Sequence, residues 1–270
     1  MQQTNVLDAL PLSVVLVLTI AFISVAAEMG YRLGRIKLKQ LPEGESLHLG
    51  AAVASTIGLL AFMLAFTFGS GTSRLDERRQ LVLDSSNAVS TAFLRANLLS
   101  EPYRGQSKAL LEDYIELLLS VAPLAEEDDA TFYETLSRNI QKLKDIQQKL
   151  WAVAVTAARE DPRPTNNLYI TGLNNVFELL QKRLTVSMQQ RMPVVFWLVL
   201  FCLAGLALGL AGYDAGSSRS KRNLSIPAMS LAFSFVMVFV LAMDRPRAFT
   251  VSQTPLIELQ AHIRASESIN

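Results

Sequence analysis

Gly50-Ala-Ala-Val-Ala-Ser-Thr-Ile-Gly-Leu-Leu-Ala-Phe-Met-Leu-Ala-Phe-Thr-Phe-Gly69 holds no charged side chain and no proline. A bilayer core about 30 Å thick needs roughly 20 apolar helical residues, so this stretch reads as a membrane-crossing helix. Three further runs, at about 10–27, 193–213 and 225–243, have the same character, with Glu28, Asp214 and Asp244 standing where the apolar sequence stops. The pattern predicts an all-α membrane protein: four transmembrane helices arranged as two hairpins around a central helical-bundle domain. The expected divisions are a first hairpin at 1–69, a central extramembrane domain at 70–192, a second hairpin at 193–243 and a C-terminal tail at 244–270. The first run ends in the small residues Val25, Ala26 and Ala27, as a secretory signal does. Its leader carries Asp8 and no Lys or Arg, which favours a retained helix.

Composition agrees with this reading. Half of the 270 residues are apolar, 18% are charged, and 25 basic side chains against 24 acidic ones leave a formal charge of +1. That balance gives no footprint for nucleic acid. One cysteine, Cys202, and two histidines, His48 and His262, cannot form a disulfide framework or a zinc site. No nucleophile and base pair and no phosphate-binding glycine loop emerges either, so an enzyme is not expected, and neither a cofactor nor a metal.

The central stretch lacks the two-residue alternation of strands and is punctuated by Pro102, Pro123, Pro162 and Pro164. From 126 to about 160, Leu136, Ile140, Leu143, Gln147, Leu150, Ala154 and Ala157 follow heptad-like steps with one polar seam position. Glu126, Glu127, Asp128 and Asp129 fall in its first turn, where exposed backbone N–H groups favour negative charge; the run lacks the loop pattern of a calcium site. A helix is expected to leave the second span without a break over 71–99, and another over 167–190 to return at Pro193.

Orientation is contested within the sequence. The first and third loops hold seven basic residues (Arg32, Arg35, Lys37, Lys39, Arg219, Lys221, Arg222) against three in leader and tail, which puts the central domain outside. Adding Arg74, Arg78, Arg79, Lys182, Arg183 and Arg191 at the domain's membrane-proximal ends reverses the sum to nine against seven. The membrane side of the domain stays open.

Wound at 100° per residue, the second span carries Ala54, Gly58, Ala61, Ala65 and Gly69 on one stripe, spaced for close helix packing. Beside it lie Ser55, Leu59, Phe62, Phe66 and Ser73. Repeated around a symmetry axis, Phe62 and Phe66 form stacked aromatic rings of the kind that gate by dewetting, whereas in an isolated helix they face lipid or a neighbour. Arg74 and Arg78 follow, either snorkelling to lipid phosphates or concentrating anions at a pore mouth. Asp84, Asn87, Thr91 and Arg95 recur at helical spacing beyond them, as a hydrogen-bonded seam between helices or as ion contacts.

Gly58-Leu-Leu-Ala-Phe-Met-Leu-Ala-Phe-Thr-Phe68, Ser73-Arg-Leu-Asp-Glu-Arg-Arg-Gln80 and Asp84-Ser-Ser-Asn-Ala-Val-Ser-Thr-Ala-Phe-Leu-Arg95 together resemble a bacterial membrane-protein family described as bestrophin-like. The resemblance is specific over about 58–103 and extends to the two-hairpin layout. It implies a pentameric channel, mostly for anions, whose second membrane helix lines a hydrophobic neck, with Phe62, Phe66 and Leu59 as neck residues. It also implies lipid, a homo-oligomer and small inorganic ions as partners, a bacterial inner membrane and a cytoplasmic central domain. Ser85 departs from the family's usual carboxylate, and no counterpart of the animal calcium clasp is present, so calcium gating is not implied. The alternative reading is a membrane sensor or scaffold whose helical domain binds a ligand or partner.

Overall fold

The computed structural model describes residues 10–40, 49–121, 129–188, 192–218, 224–245 and 251–267. Among them are eight helices and no strand: α1 Leu12–Leu38, α2 Gly50–Ala96, α3 Tyr103–Ser120, α4 Asp129–Glu160, α5 Pro164–Met188, α6 Val194–Ser217, α7 Ser225–Asp244 and α8 Thr254–Glu267. Four of them, α1, α2, α6 and α7, are long and apolar enough to cross a membrane. The chain divides into two compact units, Met1–Ser73 with Arg191–Arg245, and Arg74–Gln190 with Pro246–Asn270. The division falls within α2, which runs unbroken for 47 residues as its proline-free sequence leads one to expect.

The first unit is built on contact between α1 and α6. A Cβ on Gly30 would overlap the Gly209 carbonyl, one on Gly34 that of Tyr213, one on Gly212 that of Ala27 and one on Gly216 that of Tyr31. The two backbones touch, and only glycine permits this. In a membrane, where apolar burial drives little helix association, such close packing is what holds helices together. Helix α1 also runs about three turns past the expected end at 27; Gly30 and Gly34 lie in that extension, and Arg32 pairs there with Glu28 at 2.9 Å. By contrast the small-residue stripe of α2 has no packing partner among the described residues: Ala54, Gly58, Ala61, Ala65 and Gly69 are exposed, and a Cβ on Gly58 or Gly69 meets nothing within 4 Å.

Several hydroxyls inside the spans are satisfied by their own helices, although the buried Ser230 hydroxyl of α7 has no partner among the described residues. Thr19 donates to the Val15 carbonyl at 2.8 Å, Thr67 to Met63 at 2.5 Å and Ser234 to Ser230 at 2.6 Å, as a medium without water requires.

The second unit is a helical bundle with one apolar core. It takes Val89, Ala92 and Ala96 from α2, Leu111, Tyr114, Ile115 and Leu118 from α3, and Leu143, Leu150, Ala154 and Ala157 from α4, all buried. The heptad-like face of α4 is the face that turns inward, with Gln147 half-buried on it. Glu126, Glu127 and Asp128 lie outside the described residues, as do Arg191, Arg219, Lys221, Arg222 and Arg247 of the charge counts. From α5 come Tyr169, Leu173, Val176 and Leu180; its first turn begins at Pro164, earlier than the expected 167, and Asn166 donates to the Asp161 carbonyl at 2.7 Å across the turn from α4.

The C-terminal segment adds α8. Thr254 accepts the local support of Ser252, whose Oγ lies 2.6 Å from its Oγ1, and Pro255 occupies the first turn. Leu256, Leu259 and Ile263 recur at three- and four-residue steps and are buried in the bundle core. Ser86 of α2 donates to the Pro255 carbonyl at 2.8 Å.

Candidate conduction helix and polar groove

Within the first unit α2 is anchored on one side only. Leu60, Leu64 and Thr67 are buried, and Phe68 stacks on Phe239 of α7 with ring centroids 6.2 Å apart. The opposite side is bare: Phe62 is 67% exposed, Phe66 60% and Leu59 51%, and Ser55 and Ser73 are exposed with them. Ser55 donates its proton to the Ala51 carbonyl at 2.8 Å and so presents lone pairs outward. The stripe read from periodicity is therefore a continuous uncovered face of this chain, three large apolar side chains between two hydroxyls.

The arginines that follow separate by burial. Arg74 is half-buried, Arg78 is buried to 7%, and Arg79 is exposed and pairs with Asp76 at 3.2 Å. Ser85, at the position where the family sequence departs, is buried and donates to the Leu81 carbonyl at 2.6 Å. Its hydroxyl is thus satisfied without a partner helix.

Asp84, Asn87, Thr91 and Arg95 come together with a second set of residues that periodicity on α2 could not supply. They face α5 across a groove completed by Thr171, Asn174, Asn175, Glu178 and Lys182. The two helices approach at Gly172, where a Cβ would lie 3.4 Å from the Arg95 side chain and 3.6 Å from the Ala92 Cα. Arg95 Nη1 donates to the Leu168 carbonyl at 2.9 Å. Of the four α2 residues only Arg95 makes the interhelical bond a seam requires. Asp84 instead accepts Gln80 from its own helix at 2.9 Å, and Asn87 and Thr91 are exposed along the groove. The groove holds two acids and two bases, so it carries no net field of either sign. The α5 contributors recur at three- and four-residue steps in the sequence, which marks a polar stripe but not the helix it faces.

Among the described residues no group of three or more His, Cys, Asp or Glu could hold a metal ion, and Cys202 is a free, exposed thiol. Two phenols of the helical unit are driven upward by burial: the Tyr114 and Tyr169 hydroxyls titrate at about 12. The Gln147 amide on Tyr114 and a Ser107 contact on Tyr169 oppose that rise only in part.

Four membrane-crossing helices, an α-helical bundle built from the remaining chain and an uncovered apolar face on the second span define a class, the all-α membrane proteins with a helical extramembrane domain. The chain belongs to the bestrophin-like family: the Bestrophin-like domain model matches residues 12–256. Among solved structures it is similar to a bacterial bestrophin homologue from Klebsiella pneumoniae. One structure of a single-substitution variant of that homologue gives a TM-score of 0.60 at 16% identity, covering 93% of this chain and 95% of that one. Another structure of the homologue gives 0.61 at 16% identity, with 94% and 96% covered. No curated protein matches the chain in sequence.

Proposed function

We propose that the protein is an oligomeric ion channel, anion-conducting and pentameric, in which α2 of each copy surrounds the axis and Leu59, Phe62 and Phe66 form a hydrophobic neck. The observation that carries this reading is the uncovered face of α2, where Leu59, Phe62 and Phe66 are more than half exposed among the described residues. Membership of the bestrophin-like family supports it, since the resemblance to bestrophins implies a channel whose second membrane helix lines the neck. The unoccupied small-residue stripe beside the neck residues supports an oligomer as well, because it suits close approach of a helix from another copy.

A ring of Phe62 and a ring of Phe66 one turn apart leave an ion no hydrogen-bonding partner. Permeation then depends on how readily the neck wets and how much hydration the ion gives up, which favours large, weakly hydrated monovalent anions. Ser55 and Ser73 flank the neck with polar groups, and Arg74 beyond it raises the local anion concentration. Arg78, being buried, contributes less. The membrane is the bacterial inner membrane.

The test is ion flux from liposomes holding the purified protein, with chloride and sodium gradients compared, for the native chain and for a Phe62→Ala, Phe66→Ala variant. Chloride flux that rises in the double variant supports the neck. No flux from either, with both folded and inserted, overturns the channel. A second reading, a ligand-binding sensor or scaffold, is favoured by the polar α2–α5 groove, and stable capture of a small polar solute by a non-conducting protein would select it.

A further inference from the structure

Arg183 is a partly buried cation of the helical unit with no carboxylate partner among the described residues. Arg183 stands near the end of α5. Its Nη2 donates to the Gln253 Oε1 at 3.2 Å, and Gln253 in turn donates its amide N–H to the Val251 carbonyl at 2.9 Å, which fixes the oxygen toward the guanidinium. Arg183 Nη1 is buried and has no hydrogen-bond partner among the described residues. No carboxylate of those residues lies within ion-pair distance of Arg183, and its electrostatic neighbour, the Tyr114 hydroxyl, is uncharged until about pH 12. Lys182, adjacent on α5, is of the same sign, and Arg264 of α8 pairs with Glu116 of α3 at 3.9 Å.

Tyr114 deepens the imbalance. It is 1% exposed, and its hydroxyl accepts the Gln147 amide at 3.4 Å, so its own proton is still unspent. Arg183 Nη1 and the Tyr114 hydroxyl proton are thus two donors without an acceptor among the described residues. A desolvated positive charge without a counter-charge is unfavourable, and a buried donor without an acceptor adds to that. Burial indeed depresses the Arg183 pKa. A group that removes both penalties must be negative, must accept several hydrogen bonds at once and must fit among packed side chains.

We propose that Arg183 Nη1 and the Tyr114 hydroxyl, supported by Gln147, hold a small inorganic anion of halide size inside the helical unit. The site is separate from conduction: its residues lie on α3, α4 and α5, and its existence does not depend on the chain being a channel. Because the ion binds the folded bundle and not the unfolded chain, occupancy ties the stability of the bundle to anion concentration.

The experiment uses the full-length protein in detergent, with chloride exchanged for gluconate at constant ionic strength. The expected result is a thermal midpoint that rises with chloride by about 2–4 °C or more in the native protein. It should be flat in Arg183→Gln and attenuated in Tyr114→Phe, with Arg183→Lys restoring part of the response. Crystals of the native protein grown in bromide give a direct readout that does not depend on any variant folding, and an anomalous peak beside Arg183 Nη1 is expected. A native midpoint indifferent to chloride, an equal chloride response in Arg183→Gln, or bromide crystals without a peak at Arg183 would each overturn the site. Neither readout involves flux, so failure here is distinct from failure of the channel reading.

Discussion

Both carboxylate oxygens of Asp244 accept the backbone N–H of Met192, at 3.1 and 3.4 Å, and so join the last residue of α7 to the chain entering α6. Asp214, at the other end of α6, accepts the backbone N–H of Leu49 at 2.8 Å, just ahead of α2. In sequence these aspartates only mark where apolar runs stop. In the fold each supplies the acceptor that the start of a different span lacks, a capping role performed across helices.

Asp244 is 7% exposed, so replacing it with alanine leaves the Met192 N–H buried without an acceptor. The expected loss is about 1–3 kcal/mol, read as a lower thermal midpoint in detergent. Asp244→Asn, which keeps an acceptor oxygen, loses less. Equal midpoints for native and Asp244→Ala would show the bond to be dispensable.

The α1–α6 contact predicts opposite outcomes for two glycines. Gly212→Val drives a side chain into the Ala27 carbonyl and separates the helices, at a cost of about 1–3 kcal/mol or more. Gly58→Ala meets nothing within 4 Å in its own chain and, as a better helix former, raises monomer stability by up to about 1 kcal/mol. The comparison is made by melting both variants under conditions that keep the protein monomeric.

Alkaline stability follows from Tyr114 and Tyr169, both titrating at about 12 in the fold. An unfolded tyrosine releases its proton near pH 10. Below that pH both states are protonated and the fold keeps its full stability; from about 10 to 12 the unfolded chain loses protons first, and stability falls by roughly 2–3 kcal/mol for each phenol. Ultraviolet titration of phenolate, run beside circular dichroism, should show these two ionising only as the helices melt. Tyr114→Phe removes its share of the pH dependence.

Leu256 is fully buried where α8 meets the bundle, and truncating it to alanine is expected to cost about 2–5 kcal/mol. Limited proteolysis provides the check, because cleavage within 251–267 should become faster in Leu256→Ala. An unchanged cleavage rate would mean that α8 is held by other contacts, such as Ser86 to Pro255.

The sequence by itself determined the four membrane helices, the unbroken α2 and the inward face of α4, because each depends on local order: an uninterrupted apolar run, the lack of a proline, a three-and-four-residue rhythm. It also carried the family, through the stretch from Gly58 to Arg95. Only the tertiary structure decided which small residues pack. The stripe on α2 and the glycines of α1 and α6 look alike as patterns, yet a Cβ on Gly58 or Gly69 meets nothing within 4 Å, whereas one on Gly30, Gly34, Gly212 or Gly216 would overlap a backbone carbonyl of the facing helix. The same holds for the α5 wall of the groove, for the two capping aspartates and for Arg183. Periodicity reports which residues share a face of one helix, whereas a cap, a groove or an uncompensated charge depends on what another helix, distant in the chain, sets opposite that face.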